Sequence, residues 1–347
     1  MGINKIEIIN LTVFEDITID LTEGINVFVG ENGTGKTHLL KLIYAIILLQ
    51  KVTPTKVQDL RDHSNVAKSL FNSSEAMTLL RNKSSIGYCT VSCDNNPLIF
   101  QLTPQNDTYF KDEVITKNEG LGKIANLEEI AGNIVFIPAK DMLTHSKGLL
   151  EMAKKHSKDM PFDRTLLDVI EKSRQWKLDN TPDIAKNVIP VLESVIEGKI
   201  VVENNAFYVE KSNGERIDFS YEAEGIKRLG LLWQLLMNES ITRNTLMLWD
   251  EPEANINPKL IPVIVEILLE LSRNGVQVLV ATHDYILAKY FEVKRKENDS
   301  VIFHSLYKTD NGVKCESNAD FRNLKNNSII AAFDKLMDEV INGNMGE

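Results

Sequence analysis

The string Gly30-Glu31-Asn32-Gly33-Thr34-Gly35-Lys36-Thr37 leaves this chain few folds to choose from. It satisfies G-x-x-x-x-G-K-[ST] at Gly30, Gly35, Lys36 and Thr37. A β-prone apolar run, Gly24 to Val29, leads in, and an apolar helical run, Thr37 to Leu49, leads out. Strand, loop and helix in that order are the context in which the pattern cradles phosphate. A phosphate needs backbone N–H groups pointing inward, and side chains at the tip obstruct that approach. Glycines at 30, 33 and 35 remove them and admit positive φ. The helix behind the loop turns the positive end of its dipole toward the anion. The pattern predicts that Lys36 reaches the β- and γ-oxygens of a triphosphate and that the Thr37 hydroxyl holds Mg2+. Glu31, Asn32, Thr34 and His38 complete the expected nucleotide-contacting set.

A second constellation lies some two hundred residues further on. Leu246-Met247-Leu248-Trp249 is a continuous apolar run that ends in Asp250-Glu251-Pro252. Such a run reads as a buried parallel strand, and ligands of parallel sheets bind beyond the carboxyl ends of the strands. Asp250 is therefore expected to hold Mg2+ opposite Thr37, and Glu251 to orient the attacking water. His283 ends the next apolar run, Val276 to Thr282, where an imidazole is placed to hydrogen-bond a γ-phosphate.

The rest of the chain supplies an α/β frame. Residues 3–29 alternate as paired strands, and residues 86–117 and 133–138 return to strand character. Residues 51–85 carry helical spacing around Val66, Leu70, Met77 and Leu80, and residues 141–198 are helical, broken at Pro161, Pro182 and Pro190. Short strands follow at KIVVEN, AFYVEK and RIDFS. From residue 226 helices alternate with apolar strands, which argues for a mostly parallel sheet under covering helices. Residues 328–342 form an amphipathic pattern with Ile329, Ile330, Phe333, Leu336, Met337 and Val340 on one stripe.

A net charge of −10 gives the molecule no overall attraction for nucleic acid or anionic membrane. The basic residues between Lys140 and Lys177 are interleaved with acids, as on a solvated helical face. Trp176, Trp233 and Trp249 are expected to pack rather than stack on bases, and Phe14 to lie in the core. Cys89, Cys93 and Cys315 make neither a disulfide framework nor a zinc set. The longest apolar stretch, Leu42 to Leu49, is too short to span a bilayer, and the first residues show no cleavable leader pattern. A cytoplasmic protein with no membrane partner is expected.

The order phosphate loop, Asp-Glu-Pro, strand-Thr-His-Asp resembles ABC-type ATPases. The run Asp250-Glu251-Pro252-Glu253-Ala254-Asn255-Ile256-Asn257-Pro258 is similar to the soluble, SMC-like branch related to OLD-family proteins and to the AAA-type ATPases of bacterial defence islands. Ser220 to Leu232 resembles that branch's signature segment, with Ala223 where the family has serine and Gly225 retained. Ala139-Lys140-Asp141 stands where transporter-like members carry glutamine, and Lys140 is either a phosphate contact or an exposed charge. The resemblance implies a P-loop NTPase fold with a mostly parallel core sheet, an antiparallel β subdomain and a helical insertion. It implies one ATPase domain over 1–347, with helical insertions at 51–85 and 141–198 and a β-rich segment at 86–137. The signature and catalytic half is placed at 215–310, with an extension at 311–347. It implies ATP and Mg2+ as cofactors, and a homodimer that sandwiches nucleotide between the phosphate loop of one subunit and Ala223 and Gly225 of the other. A separate effector, a nuclease or toxin, is the expected partner, in anti-phage defence. Residues 305–347 hold no D-x-D set, so nuclease activity is not expected here. A slow, nucleotide-gated scaffold, a DNA-repair ATPase and a transporter subunit are the competing readings.

Overall fold

The computed structural model describes residues 2–51, 69–71, 76–81, 84, 86–93, 96–102, 104–105, 109–110, 133–140, 143–144, 146–155 and 162–344. The strands in chain order are β1 (Lys5–Leu11), β2 (Phe14–Asp20), β3 (Ile25–Gly30), β4 (Gly87–Cys93), β5 (Asn96–Leu102), β6 (Pro104–Gln105), β7 (Tyr109–Phe110), β8 (Asn133–Ile137), β9 (Gly198–Glu203), β10 (Ala206–Lys211), β11 (Arg216–Asp218), β12 (Thr245–Asp250), β13 (Gln277–Thr282), β14 (Val301–Thr309) and β15 (Gly312–Asn318). The helices are α1 (Lys36–Lys51), α2 (Leu149–Lys155), α3 (Arg164–Ser173), α4 (Ile189–Ile196), α5 (Glu224–Met237), α6 (Ile261–Arg273), α7 (Tyr285–Lys294) and α8 (Ser328–Asn344).

The strands that read as unbroken apolar runs lie at the centre. β3, β12 and β13 are buried at every residue, as befits strands covered on both faces. They belong to a sheet of order β15-β14-β3-β13-β12-β8, parallel throughout except for the β14–β15 hairpin at its edge. The period of two along each strand divides its side chains between two cores. Val27, Val29, Met247, Trp249, Val278 and Val280 face α5, α6 and α7. Phe28, Leu246, Leu248, Leu279 and Ala281 face α1 and the antiparallel sheet β2-β1-β4-β5. Phe14 is fully buried in this second core. Cys89 and Cys93 are buried there too, as their spacing in a strand predicts.

Parallel pairing decides where chemistry collects. β3 and β12 both flank β13 and run in its direction. Their carboxyl ends therefore share one edge, bringing residues 30, 250 and 282 together from distant parts of the chain. The α3 segment is fastened to the helix that leaves the loop: Lys41 Nζ donates to Asp163 Oδ2 at 2.8 Å and Tyr44 Oη to Asp168 Oδ2 at 2.9 Å. Of the residues with helical spacing in 51–85, Leu70 and Leu80 are buried and Val66 lies outside the described residues.

Two expectations need correction. Trp233 and Trp249 are buried, but Trp176 is 95% exposed. It follows the carboxyl end of α3, and the core position there is taken by Trp233, over which Lys177 lies. The stripe on α8 is also only half used. Ile329 and Ile330 pack on the core and Phe333 stacks on Tyr285 at 3.9 Å, while Leu336, Met337, Val340 and Ile341 are exposed. The last turns of the helix therefore bury no apolar side chain among the described residues.

Candidate functional site

The loop between β3 and α1 is held open from behind. Gly35 has φ +85°, and a Cβ there would lie 2.5 Å from Val13 Cγ2 and 2.8 Å from Phe14 Cζ. The β1–β2 turn thus fills the space any side chain at residue 35 would need. Thr34 is buried, and its Oγ1 donates to Glu31 O at 2.8 Å. Lys36 is 6% exposed, and its Nζ donates to Gly30 O at 2.7 Å and Glu31 O at 2.9 Å. Burial lowers the pKa of this ammonium, against the pull of Glu251 and Asp250. Glu31 and Asn32 are exposed at the rim, and exposed His38 packs edge-on against Phe71 at 5.3 Å.

Asp250 ends β12 directly opposite the loop. Thr37 Oγ1 lies 3.1 Å from its Oδ1 and 2.9 Å from its Oδ2. Burial pushes the Asp250 carboxyl up to about 6, in spite of the Thr37 hydrogen bond. A carboxylate disfavoured by burial gains from a nearby cation. A hydroxyl and a carboxylate beside a cradle of N–H groups are also the hard-oxygen donors that Mg2+ takes from protein, with phosphate and water completing its shell. The residues present therefore fit a Mg2+–triphosphate. No cluster of three or more His, Cys, Asp or Glu suited to a metal occurs among the described residues.

Glu251 sits in an uncommon backbone conformation, φ +48°, which costs a non-glycine residue about 1 kcal/mol or more. Its neighbours hold it there. Its N–H donates to Ala281 O at 2.8 Å, and its carbonyl accepts from Arg228 Nη1 at 3.0 Å. Its carboxylate projects toward His283, with Oε1 at 3.0 Å from Nδ1. A carboxylate accepts there only from an Nδ1–H, so the contact fixes which ring nitrogen carries the proton.

Two buried ionisable residues next to these carry weak signals in the sequence. Glu253, the second acid after Asp250-Glu251-Pro252, accepts from Thr282 Oγ1 at 2.6 Å, and the same hydroxyl accepts from Asp284 N at 2.9 Å. The turn after β12 and the turn carrying His283 are thereby joined. Its position in Asp-Glu-Pro-Glu was the available clue. Arg228, on α5, donates to Ala139 O as well as to Glu251 O. It links the helix that Ala223 begins to the ends of β8 and β12, and only its place three residues after Gly225 marks it in sequence.

The structure brings the phosphate loop, Asp250, Glu251 and His283 to one edge. Ala223 is the N-cap of α5 with no side-chain cap bond, and a Cβ on Gly225 would lie 3.5 Å from Asn255 O. No hydrogen bond joins either residue to the loop among the described residues. Lys140 is exposed at the end of β8, and Asp141 lies outside the described residues.

A parallel sheet with a G-x-x-x-x-G-K-T loop at one strand end and an Asp-Glu pair at another defines a P-loop ATPase of the ABC-type, SMC-like class. Residues 101–288, more than half of the chain, match the family described as "AAA domain, putative AbiEii toxin, Type IV TA system", and residues 1–137 match the one described as "AAA ATPase domain". The chain belongs to the first of these families. It is also similar over short stretches to the DNA replication and repair protein RecF of three bacteria. The identity is 31% over 65 residues for Clostridium beijerinckii, covering 19% of this chain and 18% of that protein. It is 38% over 58 residues for Cytophaga hutchinsonii (17% and 15%) and 46% over 44 residues for Clostridium novyi (13% and 12%). The chain spans less than a fifth of the length of these relatives. Among solved structures, the fold is similar to an SMC head bound to the C-winged helix domain of ScpA, with TM-score 0.58, 14% identity and coverage of 92% of this chain and 98% of that one. It is also similar to the Smc head with an extended coiled coil from Pyrococcus furiosus, bound to the C-terminal domain of ScpA (TM-score 0.52, 12% identity, 98% and 99% covered). No helix among the described residues is long and apolar enough to cross a membrane.

Proposed function

We propose that this ATPase hydrolyses ATP with Mg2+ held between Thr37 and Asp250, and that it dimerises around the nucleotide to govern a separate effector. The observation that carries the reading is the meeting of Thr37 with Asp250 at 2.9 and 3.1 Å, beside the Glu251–His283 contact. When bound, Mg2+ neutralises charge on the β- and γ-oxygens. The chain's own groups do the rest. The loop amides and Lys36 bind the phosphates, Glu251 takes a proton from the water it orients, and His283 holds Glu251 in place through Nδ1. Ala223 caps α5 without a side-chain bond, so the first N–H groups of that helix are the ones offered to the γ-phosphate of a second subunit. The family's description, "putative AbiEii toxin, Type IV TA system", supports a toxin–antitoxin setting, and bacterial defence is the role we propose within it.

The test is Glu251→Gln. It is expected to keep ATP affinity, to lose steady phosphate release by about 100-fold or more, and to accumulate a dimer of doubled mass in ATP and Mg2+. A wild-type protein that releases no phosphate with or without a partner refutes hydrolysis and leaves the gated scaffold. The RecF stretches favour a second reading, a repair-type ATPase acting on DNA. Retention on duplex DNA that falls steeply with salt selects it.

A further inference from the structure

The metal side of the phosphate loop is built by β12 and β13. The opposite flank belongs to β14, which pairs with β3 up to Leu306↔Gly30. Leu306 faces the α1 core, and Lys308, two residues on, shares that face. Its ammonium reaches the crest of the loop. Nζ donates to Asn32 O at 3.2 Å, and it stands 3.6 Å from the position a Cβ on Gly33 would occupy. Gly33, at φ +79°, thus leaves room for an ammonium as well as for a turn.

The other cations around the loop are committed elsewhere. Lys41 pairs with Asp163, and Arg81 is bound to Val13 O and Glu15. Lys308 is exposed, and among the described residues it has no acidic partner within salt-bridge distance. An ammonium has three donors, and the neutral carbonyl of Asn32 takes one. In a chain of net charge −10, a lysine left unpaired at the rim of a polyanion site is spent on the polyanion. Lys36 provides the parallel: it too rests on loop carbonyls.

From this geometry we infer that Lys308 is a second phosphate-binding cation, contacting the polyphosphate of the bound nucleotide from the flank opposite Asp250. The inference rests on the nucleotide-site reading above. The test compares wild type with Lys308→Ala, Lys308→Glu and Lys308→Arg by calorimetric titration with Mg–ATP and Mg–ADP, at low and high salt. Lys308→Ala is expected to weaken both nucleotides about 3- to 10-fold at low salt, Lys308→Glu to weaken them more, and Lys308→Arg to restore binding. The gap closes as salt rises, because an exposed charge is screened, whereas a lysine that merely shapes the loop leaves a gap indifferent to salt. Melting without nucleotide is expected to be unchanged in all variants, since the side chain is exposed. Equal affinities of wild type, Lys308→Ala and Lys308→Glu overturn the role of Lys308 while leaving the nucleotide site standing. A wild-type protein that takes up no nucleotide overturns both.

Discussion

Replacing Glu253 by Gln tests the electrostatics of the site without touching nucleotide. Glu253 is 9% exposed; one carboxylate oxygen accepts from Thr282, and the other is buried with no hydrogen-bond partner among the described residues. Burial pushes its pKa up to about 7 from an ordinary 4.5. The folded state therefore holds a proton that the unfolded state has already lost between those values. Stability must fall as pH rises through that window, by up to about 1.4 kcal/mol per pH unit. Between about pH 5 and about pH 8 the loss integrates to roughly 2.5 kcal/mol. Gln keeps a carbonyl for the Thr282 hydroxyl and never ionises, so its own packing cost is the same at every pH. Asp250, pushed up to about 6 by its burial, adds a similar falling segment to both proteins and cancels in their difference. Urea unfolding of the nucleotide-free, Mg2+-free proteins across that range supplies the measurement. The variant is expected to gain on wild type by about 2 to 3 kcal/mol from the acid to the alkaline end. Parallel stability curves would refute a buried, proton-holding Glu253.

Arg228→Met takes the guanidinium from the carbonyls of Ala139 and Glu251, of which Glu251 O keeps the Ala254 N–H at 3.0 Å. Losing the charged donor at these part-buried acceptors costs about 1.5 to 3 kcal/mol, read as a lowered urea midpoint, and Glu251 loses one of its restraints, so phosphate release falls further than ATP affinity. An unchanged midpoint sinks this account of the arginine. Gly35→Ala puts a methyl group onto Val13 and Phe14 at a positive φ; nucleotide binding is expected to vanish, with at least about 2 kcal/mol of stability. Wild-type affinity in that variant contradicts the packing behind the loop.

The parts of the site that follow from local rules were legible in the sequence. The loop declares itself through glycine spacing and a flanking strand and helix, and Asp250 through the apolar run it ends. Both depend on residues close in the chain. The central strands were legible because burial on both faces leaves an unbroken apolar string. Glu253, Arg228 and Lys308 were not, since each acts on a partner 23 to 276 residues away. Their meaning depends on strand order, which periodicity does not encode. Trp176 misled for a related reason: composition favours packing a tryptophan, but the core beside α3 already holds Trp233. On α8 the amphipathic pattern was real, yet a pattern gives the face and not the length of the surface that will cover it.

The polar groups that line the phosphate loop are held by partners within the fold. Lys36 rests on Gly30 and Glu31 carbonyls, and Thr37 on Asp250. A nucleotide that takes these groups exchanges hydrogen bonds rather than creating them, and an exchange of that kind gains only about 1 kcal/mol apiece. Charge is different. Burial disfavours the ionised form of both Lys36 and Asp250, and a metal–triphosphate supplies the opposite sign to each at once. The driving force for loading must then be electrostatic, and part of it is released by ending the discomfort of residues already in place. The left-handed turn at Glu251 belongs to the same scheme. It keeps the carboxylate pointed across the cradle before ligand arrives, at a cost met by Arg228 and the Ala281 carbonyl, so the geometry for attack on a phosphate is set by the fold and only the charge is awaited.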